Sequence, residues 1–406
     1  MSFNVALSGL NAANTDLATL SNNIANANTV GFKGSRAEFG DFYRESSFDL
    51  SATNSGFGVR VDRIAQQFAQ GTINNTGKSL DLAISGDGFF TMSDKGTRVY
   101  TRAGAFSTDR NGYVVSSGGA RLQVYPPSGT SGTFNTAAPV DLHISGSTNP
   151  PAASKAITAS VNLPASAAVP TTTPFSASDA SSYNKTTSLT VYDSLGTPHT
   201  ASLYYAKTAT AGEWTLHTTV DGTEVGTGTA VSFDTSGTLT SPASGQITLN
   251  PLTLPNGSAP LALTLDVADS TQYGDSFTVG TLSQDGYAAG ELSGLTITDA
   301  GVVQARYSNG QLTPLGQIMM TLFPDQQGLQ QLGSATWAET FVSGQPIAGT
   351  AGSANFGAVQ SGALEASNVD LTEQLVNMMT AQRNYQANSQ VISTADEMLQ
   401  TIMNLR

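Results

Sequence analysis

Residues 2–28, SFNVALSGLNAANTDLATLSNNIANAN, and residues 371–403, LTEQLVNMMTAQRNYQANSQVISTADEMLQTIM, decide how this chain is read. In the first stretch Phe3, Leu7, Leu10, Leu17 and Ile24 recur at alternating three- and four-residue steps, with Asn14 and Ser21 in the gaps. In the second, Leu371, Leu375, Met378, Tyr385, Ile392, Leu399 and Met403 repeat the pattern, interrupted by Gln382, Ser389 and Asp396. Such spacing lays one narrow apolar stripe along a helix. It predicts a helix at each end, the two pairing as a coiled-coil-like inner domain. Burying a Leu or Met fully is worth roughly 1.5–3 kcal/mol, and much of that surface would stay wet in an isolated pair. The stripes are therefore expected to meet other copies of the chain as well as each other, which suggests an assembly protein. The plainer alternative is two core helices of a monomer.

Working inward, the first helix is bounded by the stop signals Asn26, Asn28 and Gly31. Residues 32–70 read as irregular, with Phe32, Phe39, Phe42, Tyr43, Phe48 and Phe57 scattered among Gly, Ser and Asn. From about 71 the period changes to two. Leu80, Leu82 and Ile84 alternate with Asp81 and Ala83, as in a half-buried strand. Turn dipeptides stand at Asp87-Gly88, Asn111-Gly112, Asp221-Gly222 and Asn256-Gly257. Residues 126–186 are dominated by Pro, Ala, Ser and Thr, and strand-like alternation resumes in 189–192, 203–205, 214–216 and 261–267. Residues 146–284 carry nine acidic side chains and three lysines, the pattern of an acidic, water-facing β domain. Gly-rich residues 343–362 lead into the last helix, where Ser367 and Asp370 both stand at capping spacing.

The fold class expected is mainly β and multidomain, with helical ends. Residues 1–31 and 366–406 would form the terminal helical assembly domain, and 32–70 an extended linker loop. Residues 71–145 and 285–365 would form an inner β domain, and 146–284 an outer one.

Composition removes several functions. Only 12% of the 406 residues are charged, and 30 acidic against 17 basic residues give a formal net charge of −13. Nucleic acid is a poor partner for such a chain, because phosphate binding needs clustered Lys and Arg. No polybasic segment faces an anionic membrane, and no apolar run of 18 residues suggests membrane insertion. With no cysteine, disulfides, thiolate metal sites and cysteine nucleophiles are excluded. The N-terminus has no basic and apolar leader, so an ordinary cleaved signal peptide is not expected. A cysteine-free, Thr/Ser/Gly-rich β chain nevertheless resembles extracellular surface proteins, so export would need another route.

No constellation for catalysis stands out. Gly71-Thr-Ile-Asn-Asn-Thr-Gly77-Lys78-Ser79 has five residues between its glycines where a P-loop has four, and it precedes a strand-like stretch, not a helix. His143, His199 and His217 lack zinc-ligand spacing, and His217 reads as a solvent-facing strand position. Asp87, Asp221 and Asp285 sit in turns, where local hydrogen bonding accounts for them. No catalytic residue, cofactor or metal is expected.

The stretch Leu20-Ser-Asn-Asn-Ile-Ala-Asn-Ala-Asn-Thr-Val-Gly-Phe-Lys33 resembles the N-terminal signature of the bacterial flagellar axial rod and hook family. Asn368-Val-Asp-Leu-Thr-Glu-Gln-Leu-Val-Asn-Met-Met-Thr-Ala-Gln-Arg-Asn-Tyr-Gln-Ala-Asn388 is similar to its C-terminal signature. Within these, Asn26, Asn28, Gly31, Phe32, Asn368, Gln382, Arg383 and Tyr385 carry the likeness. Ile84-Ser-Gly-Asp-Gly-Phe-Phe90 and Tyr100-Thr-Arg-Ala-Gly-Ala-Phe106 resemble the shared β domain, and Leu189-Thr-Val-Tyr-Asp-Ser-Leu-Gly-Thr-Pro-His199 and Asp285-Gly-Tyr-Ala-Ala-Gly-Glu-Leu292 resemble its hook members.

The resemblance implies a subunit of a curved, flexible tube that carries torque from motor and rod to filament. It implies many copies of itself as partners, with distal rod, hook cap and hook–filament junction proteins, and the flagellar type III export apparatus. Phe39 and Tyr43 fit a pattern proposed for export recognition. A rod or hook-associated protein, a surface adhesin and an exported hydrolase are the competing readings.

Overall fold

A computed structural model describes residues 2–41, 58–129, 132–144 and 148–404 of the chain. It is mainly strand, with one long helix at each end: α1, Ser2–Ala25, and α2, Leu371–Asn404. Helix α1 stops short of residue 28 because Asn26 turns its amide back onto the Asn22 carbonyl (3.0 Å) and side chain (2.8 Å). Helix α2 starts at Asp370, whose carboxylate accepts from the N–H groups of Thr372 (2.8 Å) and Glu373 (3.2 Å). Ser367 does not cap the helix; its hydroxyl accepts from Val369 N.

Residues 32–70 are not simply irregular. They carry strands β1, Ser35–Asp41, and β2, Val59–Gln66, paired antiparallel with a register shift between Glu38 and Phe39. The side chains these strands bury are the small Ala37 and Ala65, so the alternation carries little apolar weight beside the aromatics that drew the reading. Phe42, Tyr43, Phe48 and Phe57 lie outside the described residues.

Packing divides the chain into two compact units. Unit 1 comprises Met1–Ser145, Gly294–Arg306 and Leu312–Arg406. In its sheet, strand Leu312–Leu322 pairs antiparallel with Arg121–Tyr125, Phe89–Asp94 and Ile347–Thr350, and Thr97–Thr101 joins Phe89–Asp94 to Thr336–Ala338. Leu82, Ile84, Phe90, Met92, Leu122, Ile318 and Met320 form one core, and Phe89, Tyr100, Phe323 and Trp337 a second, with rings set edge-on at 4.7–6.1 Å. The stretch read as half-buried is buried on both faces, since Leu82, Ala83 and Ile84 are all fully covered; Ala83 puts no polar group on the second face.

The two ends of the unit close on each other. Strand Ile73–Asn75 pairs with Ala363–Glu365, and Leu82–Ser85 with Ala358–Ser361. The P-loop-like 71–79 segment is thus a strand and its turn, with no helix to cradle phosphate.

Unit 2 comprises Gly146–Ser293 and Tyr307–Gln311, wider than the expected 146–284. Strands Lys185–Tyr192, Pro198–Lys207, Glu213–Val220 and Thr229–Phe233 form one antiparallel sheet. The other is centred on Ala156–Pro164, which pairs parallel with Thr264–Asp266 and Thr271–Tyr273 and antiparallel with Thr278–Gln284. Both sheets contribute to one core, including Ile157, Leu163, Leu203, Trp214, Leu216 and Leu265. The Asp221-Gly222 turn has φ of +48° and +80°, the mirror-type hairpin geometry its sequence predicts. His217 is not a free surface position: its ring stacks on Phe175 at 4.0 Å and its Nδ1 lies 2.7 Å from Glu224.

Candidate assembly interface

Helices α1 and α2 lie against each other. The Asn23 side-chain amide donates to the Gln374 side-chain oxygen Oε1 at 3.1 Å. A Cβ on Gly9 would come within 2.8 Å of the Asn388 side chain. The two contacts give an antiparallel register, which places Ser2 opposite Ala395. The final turns of α2 therefore run past the start of α1.

The seam is not the stripe of large apolar residues. On α1 the covered positions Ala6, Gly9, Ala13, Asp16, Leu20 and Asn23 follow their own three-and-four spacing, and four of them are fully buried. Apart from Leu20 they are small or polar, which lets two helices approach closely. Ala12 and Thr19 are buried as well, and the β1–β2 pair also lies along α1, where Val59 N donates to the Ser8 hydroxyl at 3.2 Å. Burial holds the Asp16 carboxyl above its ordinary range.

The large residues flank this seam. Phe3, Leu7, Leu371, Leu375 and Tyr385 are exposed, and Leu10, Leu17, Ile24, Met378 and Ile392 half-covered. Exposure is greatest on the α2 overhang, 57% at Leu399 and 71% at Met403. The chain's own fold leaves apolar surface on both terminal helices.

Below the helices a buried ionic cluster joins their roots. Lys33 Nζ lies 2.6 Å from Glu365 Oε1 and donates to the Ala69 carbonyl at 2.8 Å. The second oxygen of Glu365 accepts from Arg102 at 3.3 Å, and its first also accepts from Gly71 N at 2.9 Å. Both acidic and basic partners are nearly sealed from solvent. Burial pushes the Lys33 ammonium below its ordinary pKa, and the Glu365 carboxylate opposes that.

The family-signature residues divide by role. Gly31 has φ of +68°, and a Cβ there would stand 2.4 Å from Ala103 N, so only glycine fits; its N–H donates to the Glu365 carbonyl at 2.8 Å. Phe32 is buried. Asn368 accepts from Gly34 N (2.8 Å) and donates to the carbonyls of Gln67 (2.7 Å) and Ala69 (3.0 Å). These residues fasten the segment after α1 to the segment before α2. Asn26 caps α1, whereas Asn28, Gln382, Arg383 and Tyr385 face outward. Phe39 is exposed on β1, and Tyr43 lies outside the described residues.

Sequence reasoning passed over Asn23, Lys33, Arg102 and Glu365. Asn23 clasps both backbone groups of Ser35, at 2.7 and 2.9 Å, in addition to Gln374. Asn23, Lys33 and Arg102 lie inside the quoted motifs, but nothing in one sequence pairs Lys33 with a carboxylate 332 residues away.

Four family models match successive parts of the chain. They are a flagella basal body rod protein model over residues 3–33, the flagellar hook protein FlgE/F/G D1 domain over 83–171, the flagellar basal body protein FlaE D2 domain over 162–287, and the flagellar basal body rod FlgEFG protein C-terminal model over 360–405. The chain is 42% identical to the flagellar hook protein FlgE of Escherichia coli (strain K12), with all of both chains covered. It is 34% identical to that of Rhizobium meliloti, covering 98% of this chain and 97% of the relative. The crystal structure of Helicobacter pylori flagellar hook protein FlgE2 shares the fold at a TM-score of 0.53 and 17% identity, over 72% of this chain and 100% of that one.

Proposed function

Because this chain belongs to the flagellar hook protein family, we propose that its exposed terminal stripes are the contacts through which copies polymerise into the hook. The protein is a structural subunit of the bacterial flagellar hook, a curved flexible tube that passes torque from motor and rod to filament. The observation that carries the assembly reading is the division of labour on the helices. Small and polar residues make the pairing within a chain, and large apolar residues remain for neighbours.

In this reading α1 and α2 form the terminal assembly domain that lines the tube. The acidic unit 2 offers wet polar contacts, which exchange at little cost as the tube bends. The segment 32–70 reaches neighbouring copies. The distal rod, hook cap and junction proteins would be end partners. Export would use the type III apparatus, with Phe39 and Tyr43 as a candidate recognition pair and a cysteine-free chain free of crosslinks in transit.

Electron microscopy of concentrated, purified chain tests this. Short curved tubes are expected from the wild type and none from Leu399→Asp; straight association-free monomer in both would overturn the reading.

A further inference from the structure

Three asparagines of the chain precede a glycine: Asn111, Asn256 and Asn309. Such a pair can modify itself, because glycine has no side chain to keep its backbone nitrogen from the asparagine Cγ. The attack requires that nitrogen to be free. Gly112 N–H donates to the Asp109 carbonyl at 3.1 Å, and Gly310 N–H to the Tyr307 carbonyl at 3.0 Å. The Asn309 amide is also engaged, donating to the Ala288 carbonyl at 2.8 Å. Gly257 N–H makes no hydrogen bond among the described residues. Asn256 and Gly257 are both exposed, with Gly257 at φ +78° and open space where a Cβ would stand, so solvent reaches the reacting atoms.

What Asn256 holds gives its chemistry a consequence. Its side-chain amide donates to Asp193 Oδ2, the oxygen that also faces His199 Nε2 at 3.5 Å. The Asp193 side chain is sealed from solvent, and its other oxygen accepts from the N–H groups of Leu195 (2.9 Å) and Thr197 (2.8 Å). A second tie runs beside the first, from Ala259 N to the Ser194 hydroxyl at 2.9 Å. Asn256 is therefore the donor that fastens the 256–259 loop to a buried carboxylate. At its other end, Asn256 Oδ1 accepts from Ser258 N at 3.1 Å. That N–H points at the oxygen on which negative charge develops when Cγ is attacked.

We propose that Asn256 is a site of spontaneous deamidation that loosens the Asp193 clasp of unit 2 as the protein ages. Gly257 N gives its proton to solvent base and bonds to Asn256 Cγ. The Cγ–Nδ2 bond breaks, and the nitrogen leaves as ammonia with a proton from water. Water then opens the cyclic imide at either carbonyl, leaving aspartate or isoaspartate. One water is consumed and one ammonia released, with no change of oxidation state. The product replaces a donor with a carboxylate, facing Asp193 with like charge where it had a hydrogen bond. The step needs only water, so it advances in each subunit with time and does not depend on how copies assemble.

The test holds soluble full-length chain in mildly alkaline buffer and follows amide-to-carboxyl conversion at the three asparagines by peptide mass mapping. In urea-unfolded chain the three should convert at comparable rates. In folded chain Asn256 should lead Asn111 and Asn309 by at least about five-fold, the factor that one hydrogen bond on the glycine N–H is worth. Asn256→Gln should stay unmodified, since its imide ring closes far more slowly. Melting of unit 2 should fall with the converted fraction, and Asn256→Asp should show the full drop at once, roughly 3–10 °C. Asn111 or Asn309 leading in the folded chain, or Asn256 unchanged while the unfolded chain converts, would overturn the site. Aged protein and Asn256→Asp both melting with fresh wild type would overturn the loosening of the clasp.

Discussion

Glu365 is the residue on which most of the chain's closure turns, since it faces Lys33, Arg102 and Gly71 N together. Removing one partner of a buried ion pair leaves uncompensated charge, at a cost of roughly 3–5 kcal/mol. Glu365→Ala should lower the stability of unit 1 by that order, read from urea unfolding. A loss below about 1 kcal/mol would be that of an exposed pair and would contradict the sealed geometry. In unit 2, the His199 ring stands between two carboxylates, Nδ1 2.6 Å from Asp221 and Nε2 3.5 Å from Asp193. Burial lowers the His199 pKa, but the two carboxylates outweigh it and the net direction is up. Burial raises Asp193, but hydrogen bonds from Asn256, the N–H groups of Thr197 and Leu195, and His199 outweigh it, and the net direction is down; His199 and Thr200 N lower Asp221. The histidine contribution is therefore full below its ordinary pKa and lost as pH rises through the higher folded value. The aspartate contributions are present above the ordinary carboxyl range and lost as pH falls through the lower folded values. Unfolding midpoints of the wild type should decline on both sides of that window. His199→Asn should flatten the alkaline side; an unaltered alkaline decline would show that other groups govern it.

At the scale of elements, the terminal helices were legible because a 3.5-residue apolar period survives in any context. Which face pairs within the chain was not. Ala6, Gly9, Ala13 and Asp16 carry almost no hydrophobic signal, and they make the seam because their size permits close approach. Asp16 is the charged member of that seam, and its raised pKa means that the ionised form is disfavoured in the fold. Stability should accordingly rise as pH falls through that value, and Asp16→Asn should strengthen the helix pairing at neutral pH, seen as slower amide exchange in α1. Faster exchange in the variant would mean that the carboxylate makes a favourable contact. On the outer face, Leu399→Asp should leave monomer melting unchanged, since the site is already wet. It should abolish assembly, because an unpaired carboxylate would be buried in every subunit. Leu17→Asp should act likewise on assembly, with a small loss in the monomer where that side chain is half-covered. Normal tubes from either variant would refute the stripe. A large loss of monomer stability from Leu399→Asp would favour plain core helices.

For the whole molecule, the cores of unit 1 contain no residue from 146–293, and Thr148 and Asn149 pair with Glu291 and Gly290. Residues 148–149 and 290–291 thus lie side by side, so a short linker can replace 148–293. The shortened protein should keep unit 1 folded, with its melting transition retained, and should still assemble into tubes of altered curvature. Loss of assembly, or unchanged curvature, would show that unit 2 has another role. Much of this architecture followed from the sequence alone. Periodicity marked helical ends and a β middle, charge and missing cysteine removed whole classes of function, and the terminal motifs pointed to the family, because each is a local or compositional property. What tertiary structure alone decided were properties of distance. It hid the small-residue seam and the β1–β2 pairing, put both faces of 82–84 in the core, and brought Lys33, Arg102 and Glu365 together. Burial and close approach depend on which distant segments meet, and a single chain written in order does not contain that information in any local pattern.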